Sequence, residues 1–177
     1  MINLGTITLE TERLILRKFS NDDFLEIFNG YRNQPEFLYY SNKNSLTLKE
    51  TKEEVVEIVK KYEQNTYYNW LITLKDSNKI IGAINLKYNE KFEGMLFSYA
   101  IDNRFTNNGY MTEALTCIKN FCFNDLQVSQ IIGGCIESNL ASKRVMEKCG
   151  LEYKYSIDNF IYLIDGYHNS DFYFLTL

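Results

Sequence analysis

Two short stretches of this chain place polar groups where they can do chemistry. The first is the loop Thr106-Asn-Asn-Gly109-Tyr-Met111. It follows an apolar run from Met95 to Ile101 and opens a segment in which Met111, Leu115, Ile118 and Cys122 recur at four, three and four residues. That spacing predicts a helix with one buried stripe. The free backbone N–H groups of a helix N-terminus hold an anion such as a phosphate, and glycine lets the anion come close to the main chain. The competing reading of Asn108-Gly109 is a plain tight turn, since Asn-Gly is a strong hairpin signal, but helical and not strand periodicity follows it.

The second stretch is Asn139-Leu-Ala-Ser142-Lys-Arg-Val-Met-Glu-Lys-Cys-Gly150. It starts just after a short apolar strand, Ile131 to Ile136, and places Asn139 and Ser142 at the beginning of a helix that Gly150 ends. In the plainest reading Asn139 is the N-cap of that helix. The order of strand, phosphate-type loop, helix, strand, Asn/Ser loop, helix and glycine stop says more than either stretch alone. Elsewhere the chemistry is sparse. Cys117, Cys122, Cys135 and Cys149 form no CxxC pair and the single histidine, His168, is far from them in sequence. No metal site is expected, and the cysteines read as buried free thiols. Glu137 and Asp158 are carboxylates that could act as a base, each also readable as a solvated surface charge.

The elements that must position these groups are those of a folded domain. Of 177 residues 45% are hydrophobic, 15% aromatic and 24% charged, with nine glycines and one proline, which excludes disorder and fibrous repeats. No linker or internal repeat interrupts the chain, so residues 1–177 are expected to form one domain that buries about 70% of the extended chain's surface. The net charge of -4 and the pI near 5.1 argue against a nucleic-acid partner, which would need clustered Lys and Arg. A cationic small molecule or a protein amine is the easier partner. No stretch approaches the ~18 apolar residues of a membrane span and the first residues carry no signal pattern, so a cytoplasmic protein is expected.

The expected element order is β, α, α, β, β, β, α, β, α, β, β. Arg13 to Phe19 is the first strand, and Ser20-Asn-Asp-Asp23 offers a capped start to a helix bearing Phe24, Ile27 and Phe28. Thr51-Lys-Glu-Glu54 repeats that signature ahead of Val55, Ile58, Val59 and Tyr62. Tyr67 to Leu74 and Lys79 to Tyr88 form a hairpin around Asp76-Ser77-Asn78. Met95 to Ile101 and Ile131 to Ile136 are further strands, and the segment after Gly150 alternates aromatic with polar residues as the last two.

These stretches together resemble the GNAT superfamily of acyl-CoA-dependent N-acyltransferases, and within it the branch of the ribosomal-protein N-terminal acetyltransferases. The resemblance spans nearly the whole chain. It is carried by Leu9-Glu-Thr-Glu-Arg-Leu-Ile-Leu-Arg17, by Ile80-Ile-Gly-Ala83, by Asn108-Gly-Tyr-Met-Thr-Glu-Ala-Leu115 and by Ser138-Asn-Leu-Ala-Ser-Lys-Arg-Val-Met-Glu-Lys-Cys-Gly150. It implies a mixed α/β (α+β) GNAT fold, a mostly antiparallel seven-stranded sheet with a V-shaped opening between the fourth and fifth strands and four flanking helices. The implied function is acetyl transfer from acetyl-CoA to a primary amine, a protein N-terminus or small amine, by direct attack in a ternary complex.

The family's cofactor loop, Q/R-x-x-G-x-G/A, falls on Thr106-Asn-Asn-Gly109-Tyr-Met111 and matches at the central glycine alone. The resemblance implies that coenzyme A is held by the main chain of Ala100 and Ile101, by Asn107, Asn108, Gly109, Tyr110, Met111 and Thr112, and by Asn139 and Ser142. The strand Leu96 to Ile101 then supplies the donor to the developing oxyanion, with the main chain around Ile101 as the candidate. Many members protonate the leaving thiolate with a tyrosine seven residues after the Asn. Met146 stands there in this chain, and Ser142 is the implied acid, with capping of its own helix as the competing role. No residue matches a general base, which leaves a chain of waters to take the amine's proton. Two other readings stay open, a catalytically weak GNAT-fold sensor or interaction module that binds acyl-CoA, and a nucleotide-binding α/β domain. A monomer or a homodimer is expected.

Overall fold

The central strands of this chain are apolar on both faces, so they need a layer of helices on each side. The computed structural model describes residues 1–177. Its first half runs β1 (Leu9–Glu10), β2 (Leu14–Arg17), α1 (Phe24–Asn29), α2 (Pro35–Tyr40), α3 (Leu48–Lys61), β3 (Tyr68–Leu74) and β4 (Ile80–Asn89). Its second half runs β5 (Gly94–Ile101), α4 (Tyr110–Asn120), β6 (Gln130–Ile136), α5 (Leu140–Lys148), β7 (Glu152–Leu163) and β8 (Gly166–Thr176). One eight-stranded sheet results, in the order β1-β2-β3-β4-β5-β6-β8-β7. Its larger core lies under α4 and α5 and includes Trp70, Ile72, Ile84, Phe97, Leu115, Ile131 and Met146. On the other face Ile27 of α1 and Val55 and Ile58 of α3 pack on Leu71 and Ile80.

Every neighbouring pair of strands is antiparallel except β5 and β6, which are parallel. That pair is short. Its register runs Met95 to Ile131, Leu96 to Ile132 and Phe97 to Gly133, and then stops. Beyond it β5 stays paired with β4 as far as Ile101, and β6 with β8 as far as Ile136, so the two strands diverge while each keeps its outer partner. The break coincides with a wedge. A Cβ on Gly133 would lie 2.4 Å from both Met146 Sδ and Phe97 Cζ, so only glycine lets α5 seat its methionine on the sheet at the last rung.

The V-shaped opening is therefore between the two segments expected, which count as fifth and sixth strands because β1 precedes them. Two residues are too few to show a period of two, and β1 is visible only through its pairing with Leu16 and Ile15. The fifth helix is α2, which lacks a side-chain cap and begins with Pro35 in a segment for which the expected order has no element. Two caps also differ. Ser20 does not cap α1: the Asp23 carboxylate accepts from the Ser20 N–H at 2.6 Å and takes the Arg17 guanidinium at 2.8 Å on both oxygens. For α3 the Thr-x-x-Glu pattern occurs twice, and the earlier copy, Thr47 with Glu50, forms the capping box, which leaves Thr51 buried inside the helix.

At the diverging end of β5 the chain is held by Asp102, which is fully buried. Its carboxylate accepts from Gln34 Nε2 at 2.8 Å, from the Arg104 N–H at 3.0 Å and from the Arg104 guanidinium at 2.5 Å. Burial alone would raise this carboxyl, but those donors outweigh it and hold the pKa at about 2. Such a group contributes stability that is complete above its unfolded value of ~3.9 and is lost as the pH falls through its folded value. Melting curves followed by circular dichroism should therefore show Tm falling between pH 4 and pH 2. Asp102→Asn should flatten that fall and lower Tm at pH 7 by roughly 5 °C, from the ~2 kcal/mol of a buried hydrogen bond to a charged group.

Candidate functional site

The opening between β5 and β6 is where the two polar stretches meet. Gly109 is the N-cap of α4 with φ +79, and Asn107 before it has φ 62, so the chain enters the helix through two left-handed residues. No N–H from Asn107 to Thr112 donates to an acceptor in the chain; the first to do so is that of Glu113, to Gly109 O at 3.0 Å. A row of free donors at a helix head carries positive potential. Arg13, which lies outside the loop, braces it. Its guanidinium donates to Asn108 O at 3.1 Å and lies 4.5 Å from the Tyr110 ring centroid.

The one acid of this first turn is drawn aside. Glu113 accepts from Thr11 Oγ1 at 2.5 Å, from the Arg13 N–H at 2.9 Å and from Arg13 Nε at 2.7 Å. Burial would raise its pKa, but these donors lower it. Of the loop residues Asn107, Asn108 and Gly109 are exposed and Tyr110 and Thr112 half-buried, whereas the Met111 side chain turns inward and is core. Its bulk is thus absorbed by packing rather than placed in the loop.

Across the opening, Asn139 caps α5 by accepting from the Ser142 N–H at 3.0 Å through Oδ1. Its Nδ2 donates to nothing in the chain. Ser142 is therefore capped and is not the cap, and its hydroxyl makes no well-aligned hydrogen bond within the chain. Asp102 N–H donates to Ile81 O of β4 at 2.7 Å. Strand alternation then turns the backbone groups of Tyr99 and Ile101 the other way, into the opening, and those of Ala100 toward β4. The Tyr99 side chain also belongs to this place, with its hydroxyl buried and without a hydrogen bond. Sequence reasoning missed Tyr99 and Arg13, because each sits in an apolar strand pattern that explains it without any chemistry.

The far wall comes from α2 and β8. Gln34, just before α2, binds Asp102, and its Oε1 accepts from the Asn103 N–H at 2.8 Å. Tyr39 at the other end of α2 bonds Asp165 at 3.1 Å and His168 at 3.2 Å, and His168 Nε2 lies 2.7 Å from Asp165. The helix thus spans from the end of β5 to the β7–β8 turn. Next to it an open cleft is lined by Glu137, Ser138, Tyr167, His168 and Asn169. Glu137 accepts from Asn169 Nδ2 at 3.3 Å, while Asp158 lies on β7, the outermost strand, with β8 between it and β6.

The thiols are quiet. Burial pushes Cys135 up to about 11 against the pull of Lys143, and Cys122 up to about 12. No group of three or more His, Cys, Asp or Glu side chains is arranged to hold a metal ion. No helix is long and apolar enough to cross a membrane.

A parallel strand pair thus opens beside two helix heads, one of them with a row of free N–H groups. The family model described as acetyltransferase (GNAT) domain matches residues 13–152, and the chain belongs to that family of N-acetyltransferases. It is 25% identical over 155 residues to YoaA, an uncharacterized N-acetyltransferase of Bacillus subtilis, covering 87% of this chain and 88% of that one. Among solved structures, a GNAT-family acetyltransferase from Bacillus anthracis superposes with a TM-score of 0.83 at 21% identity, covering 96% of this chain and 98% of the other. RimL, a ribosomal alpha-N-protein acetyltransferase solved in complex with coenzyme A, superposes with a TM-score of 0.80 at 15% identity, covering 97% and 98%.

The capping role of Asn139 can be tested directly. Asn139→Ala should lower Tm by roughly 3 °C through loss of a cap contributing ~1 kcal/mol. Asn139→Asp keeps the acceptor and should restore Tm, while lacking the amide donor that faces away from the cap. Thermal melts of the two variants side by side check this, and equal losses in both would remove the capping account.

Proposed function

We propose that the chain transfers an acetyl group from acetyl-CoA to a primary amine, with the co-substrate held in the opening between β5 and β6. The observation that carries this is the run of free N–H groups from Asn107 to Thr112 at the head of α4. A pyrophosphate asks for several converging donors and no competing carboxylate. The loop offers the first, and the engagement of Glu113 with Arg13 and Thr11 secures the second. The free amide of Asn139 suits the carbonyls of a pantetheine arm. RimL, which shares the fold, binds coenzyme A.

Acetyl-CoA supplies a thioester, an acyl group already attached to a good leaving group. The N–H of Ile101, directed into the opening, stabilises negative charge as it grows on the acyl oxygen. The Ser142 hydroxyl donates toward the departing sulfur. The entering ammonium must lose a proton before it can attack. Glu137 is the carboxylate that lines the cleft, so the proton leaves along that polar wall, to Glu137 or to water. The cleft is open at the surface, which suits the flexible end of a polypeptide as well as a small amine. Nothing in the chain favours a role limited to sensing, since the donor row, the hydroxyl and the cleft lie around one opening.

Incubation with acetyl-CoA and a panel of peptides with free N-termini and small amines should release free thiol. Gly109→Val is the sharper test. A Cβ at Gly109 meets only Arg13 Nη2, at 3.6 Å, so space is not lacking in the free chain; the φ of +79 and the approach of an anion are what a β-branched residue disturbs. Calorimetry should show acetyl-CoA affinity reduced about tenfold or more, the loss of at least one charge-assisted hydrogen bond. Unchanged affinity would sink the loop assignment.

A further inference from the structure

Two buried side-chain polar atoms lack a hydrogen-bond partner, Arg32 Nε and the Tyr99 hydroxyl. Arg32 is otherwise engaged, because both its terminal nitrogens bind the Glu54 carboxylate. Tyr99 has no such compensation. A buried hydroxyl left unpaired is costly, and when one occurs in a functional cleft it points to a partner that arrives later.

Tyr99 stands on β5 just past the last rung of the β5–β6 ladder. Its ring stacks on Phe97, with centroids 6.2 Å apart and planes 8° from parallel. Phe97 in turn faces Met146 across Gly133, so the tyrosine is braced by the same wedge that ends the strand pairing. Ser142 lies one helical turn before Met146 on α5, and Tyr99 lies two residues past Phe97 on the same face of β5, so the contact of Phe97 with Met146 at Gly133 brings tyrosine and serine to the same level of the opening. Burial pushes the Tyr99 phenol up to about 12, and the serine hydroxyl is the group that pulls it back. No well-aligned hydrogen bond joins the two. The Ser142 N–H is taken by Asn139, but its hydroxyl is not. A buried phenol hydroxyl and a serine hydroxyl, neither in a well-aligned hydrogen bond, therefore sit at one level of the opening, and Met146, which could offer no proton, fills the helix position beyond.

We infer that Tyr99 is a positioning residue for Ser142. With acyl-CoA in the opening, the Tyr99 O–H donates to Ser142 Oγ, and the Ser142 O–H is thereby turned toward the thioester sulfur. This rests on the acetyl-CoA reading above. A serine that accepts one hydrogen bond is a stronger donor in the next, because linked hydrogen bonds polarise one another. Tyr99 keeps its own proton throughout. The overall transfer forms an N–C bond and breaks a C–S bond, and the proton lost by the amine is balanced by the one the thiol gains. A chain without the helix tyrosine can in this way present one oriented hydroxyl, that of Ser142, to the sulfur.

The test needs no acceptor amine. Calorimetry compares coenzyme A with desulfo-coenzyme A, which lacks only the sulfur. The wild type should prefer coenzyme A by about fivefold, the factor of one neutral hydrogen bond. Tyr99→Phe should lose most of that preference while its Tm stays at or above the wild-type value, since the hydroxyl removed has no partner in the free chain. Ser142→Ala should lose the preference entirely, and the double variant should be no worse than Ser142→Ala alone. In thiol release, Tyr99→Phe should lower kcat with KM for acetyl-CoA nearly unchanged. Wild-type preference in Tyr99→Phe, equal binding of both ligands by the wild type, or additive losses in the double variant would each overturn the inference. A wild type that binds neither ligand would overturn the acetyl-CoA reading, and this inference would fall with it.

Discussion

The structure depends on a strand pair that is allowed to fail. Between β5 and β6 the parallel ladder runs from Met95 to Phe97 on one strand and from Ile131 to Gly133 on the other, and goes no further. A sheet interior normally satisfies every backbone group, and leaving a ladder incomplete inside a core is unfavourable. Here the outer pairings with β4 and β8 continue past the break and hold both strands in the sheet. The cost is confined to the inner edges, where the backbone of Tyr99 and Ile101 is left facing a cleft instead of a neighbour.

Other parts of the molecule follow from that break. Helices α4 and α5 are each the connection after one of the two diverging strands, so their N-termini arrive at the same opening from its two sides. Each head is prepared differently. The head of α4 leaves its donors free, because Gly109 and Asn107 take left-handed conformations and Glu113 is engaged elsewhere. The head of α5 is closed by Asn139, which leaves the Ser142 hydroxyl as its available group. On the open side α2 spans the gap, pinned by Gln34 to the buried Asp102 and by Tyr39 to the β7–β8 turn. The Asp102 network thus matters beyond stability, since it fixes how far α2 stands from the end of β5.

Much of this was legible in the sequence, and the reasons differ from element to element. The stripe of Met111, Leu115 and Ile118 announced α4 because one face of that helix is buried and its period is plain. The hairpin of β3 and β4 was equally plain, with Asn78 in the left-handed conformation that turn chemistry favours. Short elements were not: β1 and α2 lack the length to show a period and are held by tertiary contacts. The duplicated Thr-x-x-Glu pattern hid the true start of α3, since both copies satisfy the same local rule. In the site, the positions of Gly109, Asn139 and Ser142 came from motif order. Tyr99 and Arg13 gave no signal, because an aromatic in an apolar strand and an arginine at a strand start have ordinary explanations. Only the missing partner of a buried hydroxyl, and a guanidinium at the head of a distant helix, set them apart.

The central claim is that the backbone from Asn107 to Thr112, together with Ile101 in the strand opening, forms the binding surface for coenzyme A. Amide correlation NMR of the isotope-labelled chain, recorded during titration with coenzyme A, reads those N–H groups one by one. The account predicts that the amide resonances from Asn107 to Thr112 and of Ile101 shift most, and that their hydrogen exchange slows at saturation. Saturable binding with the largest shifts elsewhere, on β7 or on the α1 and α3 face, while the α4 loop stays unmoved, would contradict it.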